Sequence, residues 1–159
     1  MKRHLIALCL LVAACGESDD GTRPGPQALA DDAIGYFCGM YVVEHEGPKA
    51  QVFVKGEAEP YWFVSARDAI AFQHLEETPQ AVTAFYVTDM TASDWAKPGA
   101  WIDGASAWYV LGGSRLGGMG ASETVPFASR EAARAFAADF GGQVAAYDAI
   151  PAEAVLASR

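Results

Sequence analysis

Cys38-Gly39-Met40 opens the stretch of the chain where soft-metal chemistry is possible. At the entrance to a strand, residues i and i+2 project from one face, so the Cys38 thiolate and the Met40 thioether can approach a single ion. Soft sulfur ligands select Cu(I) over magnesium, calcium or manganese. A buried free cysteine beside a gap-filling methionine is the plainer account of the same pair. Gly39 leans toward the ligand account, because a glycine at a strand start marks a bend or a close approach. Met119 lies in Gly112-Gly113-Ser114-Arg115-Leu116-Gly117-Gly118-Met119-Gly120, a glycine-rich loop with little local structure for a large apolar side chain to pack on. It can plug a core or act as an adaptable sulfur ligand.

Two further residues compete for a place at such an ion. Met90, in Thr88-Asp89-Met90-Thr91, follows a strand-like run and is the alternative thioether. His45, in Glu44-His45-Glu46-Gly47-Pro48, sits at a turn between acids. A solvated turn histidine is the plain expectation there, and an auxiliary or Cu(II) ligand the sharper one. His74, near the end of a helix, reads as a residue that complements the helix dipole or packs.

Other chemistries lack their residues. The glycine-rich loop has neither the Lys nor the Ser/Thr of a phosphate-binding loop, and no G-x-S-x-G nucleophile elbow occurs. Cys38 has no C-x-x-C partner for disulfide exchange. The 159 residues carry 11 Lys and Arg against 20 Asp and Glu, a net charge of -9 that excludes a basic nucleic-acid face. Apolar residues make up 52%, enough for a packed core rather than a disordered chain. The expected protein is a non-enzyme.

The first residues are an export signal. Lys2 and Arg3 precede an apolar run, Leu5 to Ala14, shorter than the roughly 20 residues that span a bilayer. The run ends in Val12-Ala13-Ala14-Cys15, which resembles a bacterial lipobox, where cleavage leaves a cysteine that carries lipid. The alternative is a plain signal cleaved after Ala14. Residues 1–14 are therefore assigned as signal peptide and Cys15 as the lipid attachment site on the periplasmic side. Gly16, where an aspartate favours inner-membrane retention, favours the outer membrane. Cleavage leaves Cys15, whose thiol the lipid occupies, and Cys38, so no intramolecular disulfide is available in an oxidising compartment. Residues 15–33 are small, polar and proline-bearing, and read as a flexible tether.

The elements that must position these groups come in two copies. Phe63-Val64-Ser65 runs into Ala66-Arg67-Asp68-Ala69-Ile70-Ala71-Phe72, and 64 residues later Phe127-Ala128-Ser129 runs into Arg130-Glu131-Ala132-Ala133-Arg134-Ala135-Phe136. Each copy is a strand ending in Phe, a Ser that caps a helix, and an alanine-rich helix. Strand-like runs follow at Val82–Thr88 and Gln143–Tyr147. Strand candidates precede at Tyr41–Val43 with Ala50–Val54, and at Trp108–Leu111 with Thr124–Phe127. The chain thus reads as an α+β fold of two tandem ββαβ units, residues 34–94 and 105–159, with small antiparallel or mixed sheets each backed by a helix. Residues 95–104 are the connection.

The ordered set of motifs resembles the NosL family, accessory lipoproteins of nitrous oxide reductase maturation. It comprises the lipobox, the tether, Cys-Gly-Met entering Tyr-Val, Lys49-Ala50-Gln51-Val52, Phe85-Tyr86-Val87-Thr88-Asp89, and Met119-Gly120 followed by Val125-Pro126-Phe127-Ala128-Ser129. The resemblance covers essentially all of the chain beyond the signal. It implies a pair of ββαβ units and one Cu(I) per domain, held by Cys38 and Met40 with Met119 as third ligand. It also implies copper delivery to an ABC-type maturation complex or to the reductase itself. The family often carries a second cysteine shortly before Cys-Gly-Met, where this chain has Gly35-Tyr36-Phe37. Two other classes stand beside it: a metal-free periplasmic interaction domain, and an enzyme like organomercurial lyase, whose chemistry needs two cysteines where only Cys38 is available beyond the signal and the lipid site.

Overall fold

The structure is a computed structural model that describes residues 23–79, 81–91, 94–97 and 99–156. The signal peptide and Cys15 lie outside the described residues. Two sheets form, with every strand pairing antiparallel. The first orders as β2-β1-β3-β4, from β1 (Ala50–Val54), β2 (Tyr61–Phe63), β3 (Val82–Thr88) and β4 (Trp101–Asp103). The second orders as β6-β5-β7, from β5 (Trp108–Leu111), β6 (Val125–Phe127) and β7 (Gln143–Ala146). Helices α1 (Ala66–His74) and α2 (Arg130–Phe140) follow β2 and β6, and a short α3 (Ala152–Leu156) ends the chain.

The duplication is present down to the register. Phe63 pairs with Ala50 at the start of β1, and Phe127 pairs with Trp108 at the start of β5. Ser65 and Ser129 both cap, their hydroxyls accepting from the amides of Asp68 and Ala132. Helix α2 stops at Gly141, whose positive φ of 72° lets its N–H return to the Ala137 carbonyl.

Alternation along β1 explains its complete burial. Ala50, Val52 and Val54 face the main core with Phe63, Ile70, Phe72, Phe85 and Val87. Phe53 points the other way, onto Ala84, Tyr86 and Trp101. Gln51, also on that outer face, is buried, so its amide needs partners; it accepts from the Gln27 N–H and donates to the Gln27 carbonyl at 2.8 and 3.0 Å. The Tyr86 hydroxyl donates to the Pro24 carbonyl at 2.6 Å. Residues 23–33, which the sequence gives to the tether, are thus fastened along the first sheet.

Two expected elements differ. Tyr41–Val43 is not a strand: Tyr41 makes a single bridge to Ile34, and Val42–Glu44 is a turn of 3-10 helix. The expected connection, residues 95–104, contains β4, an edge strand whose Trp101 covers Phe53 and Tyr86. Gly104 follows it, at a position where a Cβ would lie 2.2 Å from the Phe85 ring.

Candidate metal site

Cys38 and Met40 lie on a tight loop rather than along a strand. The loop is closed by the Ile34–Tyr41 bridge, by the Gly35 N–H donating to the Met40 carbonyl and by the Gly39 N–H donating to the Gly35 carbonyl, both at 2.8 Å. Gly39 has a φ of +67°, which breaks the i, i+2 alternation expected of a strand. The Tyr36 N–H donates to the Trp62 carbonyl at 2.7 Å and ties the loop to β2. Cys38 is a free, half-buried thiol packed with Ala33, Val42, Trp62 and Val64. A Cβ on Gly35 would fall 2.7 Å from its Sγ, so the glycine makes room for the sulfur. Met40 is exposed.

Met119 lies on the long β5–β6 connection, within a short hairpin closed by the Leu116–Ser122 bridge. The Gly117 N–H donates to Ala121 and the Gly120 N–H to Gly117, at 2.8 and 2.9 Å. Met119 is 44% exposed, which removes the core-plug account. The neighbouring Gly118 presses on the segment after Cys38: a Cβ there would stand 2.6 Å from His45 Cβ and 2.9 Å from the Glu46 carbonyl oxygen. His45 Nδ1 lies 3.1 Å from the Gly118 carbonyl. Because a carbonyl can only accept, the neutral ring carries its proton on Nδ1 and leaves the lone pair on Nε2. Nε2 is buried with no hydrogen-bond partner among the described residues. The expected solvated turn histidine is therefore a docked one with an unused donor atom.

Beneath this loop sits a residue that sequence reasoning missed. Glu123 is 2% exposed. Its Oε1 accepts from Ser65 Oγ, the Arg67 amide and the Thr124 amide, at 3.0, 3.1 and 2.8 Å. Its Oε2 has no partner among the described residues and lies 2.3 Å from where a Gly117 Cβ would be. Burial raises the Glu123 carboxyl to about 7 against the pull of those three bonds. Lys49, also buried, donates from Nζ to the Glu46 and Gly47 carbonyls, and burial lowers it to about 8. The only cue to Glu123 in the sequence is an acid placed directly before the apolar strand run.

The two sulfur-bearing loops therefore meet the fold at successive residues. Cys38 packs on Val64, while Ser65, Arg67 and Glu123 line a narrow cleft with Gly117 and Met119. Met90 is elsewhere, buried with Val110, Val125, Phe127 and Ala133 under the second sheet. Among the described residues, no three His, Cys, Asp or Glu side chains group as they would around a metal ion. The candidate donors on these loops are the Cys38 thiol, the Met40 and Met119 thioethers and the His45 imidazole.

The chain is thus an α+β protein of two ββαβ units that carries a half-buried cysteine and two exposed methionines on its loops. The family described as NosL matches residues 26–155, and the chain belongs to that family. It is 44% identical over 147 residues to a copper-binding lipoprotein NosL of Achromobacter cycloclastes, covering 89% of this chain and 76% of that one. It is 33% identical over 148 residues to the protein so described from Stutzerimonas stutzeri, covering 91% and 76%. The crystal structure of the copper chaperone NosL from Shewanella denitrificans superposes with a TM-score of 0.75 at 34% identity, over 79% of this chain and 95% of that one. The solution structure of apo-NosL from Achromobacter cycloclastes gives 0.53 at 43% identity, over 69% and 90%.

Proposed function

We propose that this protein is a lipid-anchored periplasmic Cu(I) carrier, attached through Cys15, that delivers copper for assembly of the copper centres of nitrous oxide reductase. The observation that carries the reading is the anchoring of the Cys38/Met40 loop and the Met119 loop at Val64 and Ser65, with both methionines exposed. Relatives described as copper-binding lipoproteins and a copper chaperone support the cargo. In this reading Cys38 supplies the one anionic sulfur and Met40 and Met119 supply neutral thioethers. That keeps the charge of the site low and leaves a position where an acceptor's ligand can attack. His45 Nε2 is the auxiliary donor. The acceptor is an ABC-type maturation complex or the reductase, and the protein transfers an ion without making or breaking a covalent bond in a substrate.

The test is Cu(I) titration against a competing chelator under reducing conditions. One equivalent per chain is expected. Cys38→Ser should lose most of the affinity, and Met40→Ala or Met119→Ala should weaken binding without abolishing it. Affinity should fall with pH once protons compete for the thiolate. X-ray absorption should show a mostly sulfur shell. A shell of nitrogen and oxygen alone, or full binding by Cys38→Ser, would overturn the site.

A further inference from the structure

Nine large apolar side chains are exposed among the described residues, and seven of them (Ile34, Tyr36, Met40, Tyr41, Val43, Leu116 and Met119) lie on the two loops that carry the candidate sulfur donors. The docking of His45 on the Gly118 carbonyl joins those loops. Isolated exposed apolar residues are ordinary, but a concentration of this kind marks an interaction surface. The charged residues of the first loop and its flanks are acidic. Asp31, Asp32, Glu44 and Glu46 are all exposed, and residues 24–48 contain no Lys or Arg. The nearest cations in sequence are committed elsewhere: Lys49 is buried against the Glu46 and Gly47 carbonyls, and Arg115 lies over the Trp95 and Phe140 rings at 4.3 and 5.4 Å.

We infer that these two loops form a docking face for a protein partner whose contact surface is apolar at its centre and ringed by Lys and Arg. The inference rests on the copper-carrier reading for the identity of that partner, the copper-accepting maturation complex. A lipid-anchored domain could instead lay an apolar face on its own bilayer. Anionic headgroups would meet the four carboxylates there and be repelled, whereas a basic protein rim is attracted. Apolar contact at the sulfur donors also excludes water and oxidant while the ion changes hands.

The experiment uses the full lipidated protein in nanodiscs, with the purified maturation complex of the same organism as the probe. Tyr41→Ser/Val43→Ser/Leu116→Ser changes three exposed side chains that are not ligands. It should weaken binding of the complex by about tenfold or more, as for loss of interface anchors, with Cu(I) affinity unchanged. Asp31→Lys/Glu44→Lys, on exposed positions that leave the fold intact, should slow association and flatten its salt dependence. Unaltered binding in both variants overturns the docking face. Hydrogen-exchange protection of residues 34–43 and 116–119 by discs containing phosphatidylglycerol, without the complex, also overturns it, because the bilayer is then the occupant. If the parent binds the complex through these residues yet takes up no Cu(I), the carrier reading fails and the docking face stands.

Discussion

The two ββαβ units share register and caps, yet their helices live in different surroundings. Six residues of α1 are buried, and Phe72 has no exposure, whereas α2 buries only Ala133. The first unit draws Ala107, Tyr109, Ile150 and Val155 from the second into its core. The second keeps a smaller cluster around Val110, Val125 and Phe127. Along β5 the alternation divides the two cores: Tyr109 enters the first and Val110 the second. The hairpins diverge as well. Residues 55–60 join β1 to β2, while residues 112–124 join β5 to β6, and the longer link carries Met119. Duplication provides a frame, and the candidate site is built from what the copies do not share.

The repeat-related phenylalanines give the sharpest measure of this inequality. Phe72→Ala should cost about 3–5 kcal/mol, the range for deleting a fully buried aromatic ring. Phe136 is half-buried, stacked on Trp95 with ring centroids 6.3 Å apart. Phe136→Ala should cost roughly 1–2 kcal/mol, as for incomplete burial. Urea unfolding of both variants measures the difference, and equal losses would mean that the second unit is as central as the first.

A second contrast is between Glu123 and Glu59, its counterpart 64 residues earlier, which is exposed. Glu123 in the folded state holds its proton up to about pH 7, while in the unfolded chain it ionises near 4.5. Between these values the folded state binds more protons, so stability falls as pH rises and the loss is complete above about 7. Lys49 acts in the opposite sense. From about 8 to 10.5 the unfolded chain keeps a proton that the folded one gives up, so stability rises with pH. Urea midpoints should therefore pass through a trough near neutrality. Glu123→Gln should flatten its acid side, and Glu59→Gln should leave the profile as it is. The same acid-side slope in wild type and Glu123→Gln would show that another group causes it.

The capping serines should separate by less. Ser129→Ala removes a single bond to the Ala132 amide and should cost about 1 kcal/mol. Ser65→Ala removes the cap and also the hydroxyl that donates to buried Glu123, and should cost about 2 kcal/mol. Thermal unfolding at one pH suffices to rank them, and identical values would mean that Glu123 finds another donor.

How much of this could be read beforehand follows the physics of each level. The duplication was legible because Ser65 and Ser129 act through local capping, and the Phe at each strand end pairs with the start of the central strand. The sulfur-bearing residues offered as ligands stand out by residue type. Their placement does not, since Gly39's left-handed backbone turns an expected strand into a loop. His45 was misjudged for a related reason: its turn is solvated in isolation, and only the fold brings its ring to the Gly118 carbonyl, 73 residues away, with Nε2 buried. Glu123 was missed because its partners, Ser65 and the Arg67 amide, are as distant as 58 residues in the chain. Long-range contacts between the unequal halves leave little trace in a local pattern.

The smallest change in stability, and the most direct probe of how the hairpins differ, comes from two glycines. In the short hairpin Gly56 has a φ of +89° and open space around it. Gly56→Ala should therefore cost about 1 kcal/mol of backbone strain and leave Cu(I) binding unchanged. In the long hairpin Gly118 does not have a positive φ, so alanine fits its backbone, but the new methyl group would press on His45 and the Glu46 carbonyl. The exposed loop can relieve that contact by lifting away, so the stability change should stay below about 1 kcal/mol. Lifting moves Met119 away from the Cys38 loop. Cu(I) affinity should then fall by about tenfold, roughly 1.4 kcal/mol, the order expected when one neutral donor is displaced and the thiolate is kept. Competition titration of both variants, paired with their melting curves, gives the answer. Undiminished affinity in Gly118→Ala would mean that the contact with His45 does not hold Met119 in place, and that the long hairpin serves the site without being braced by the first unit.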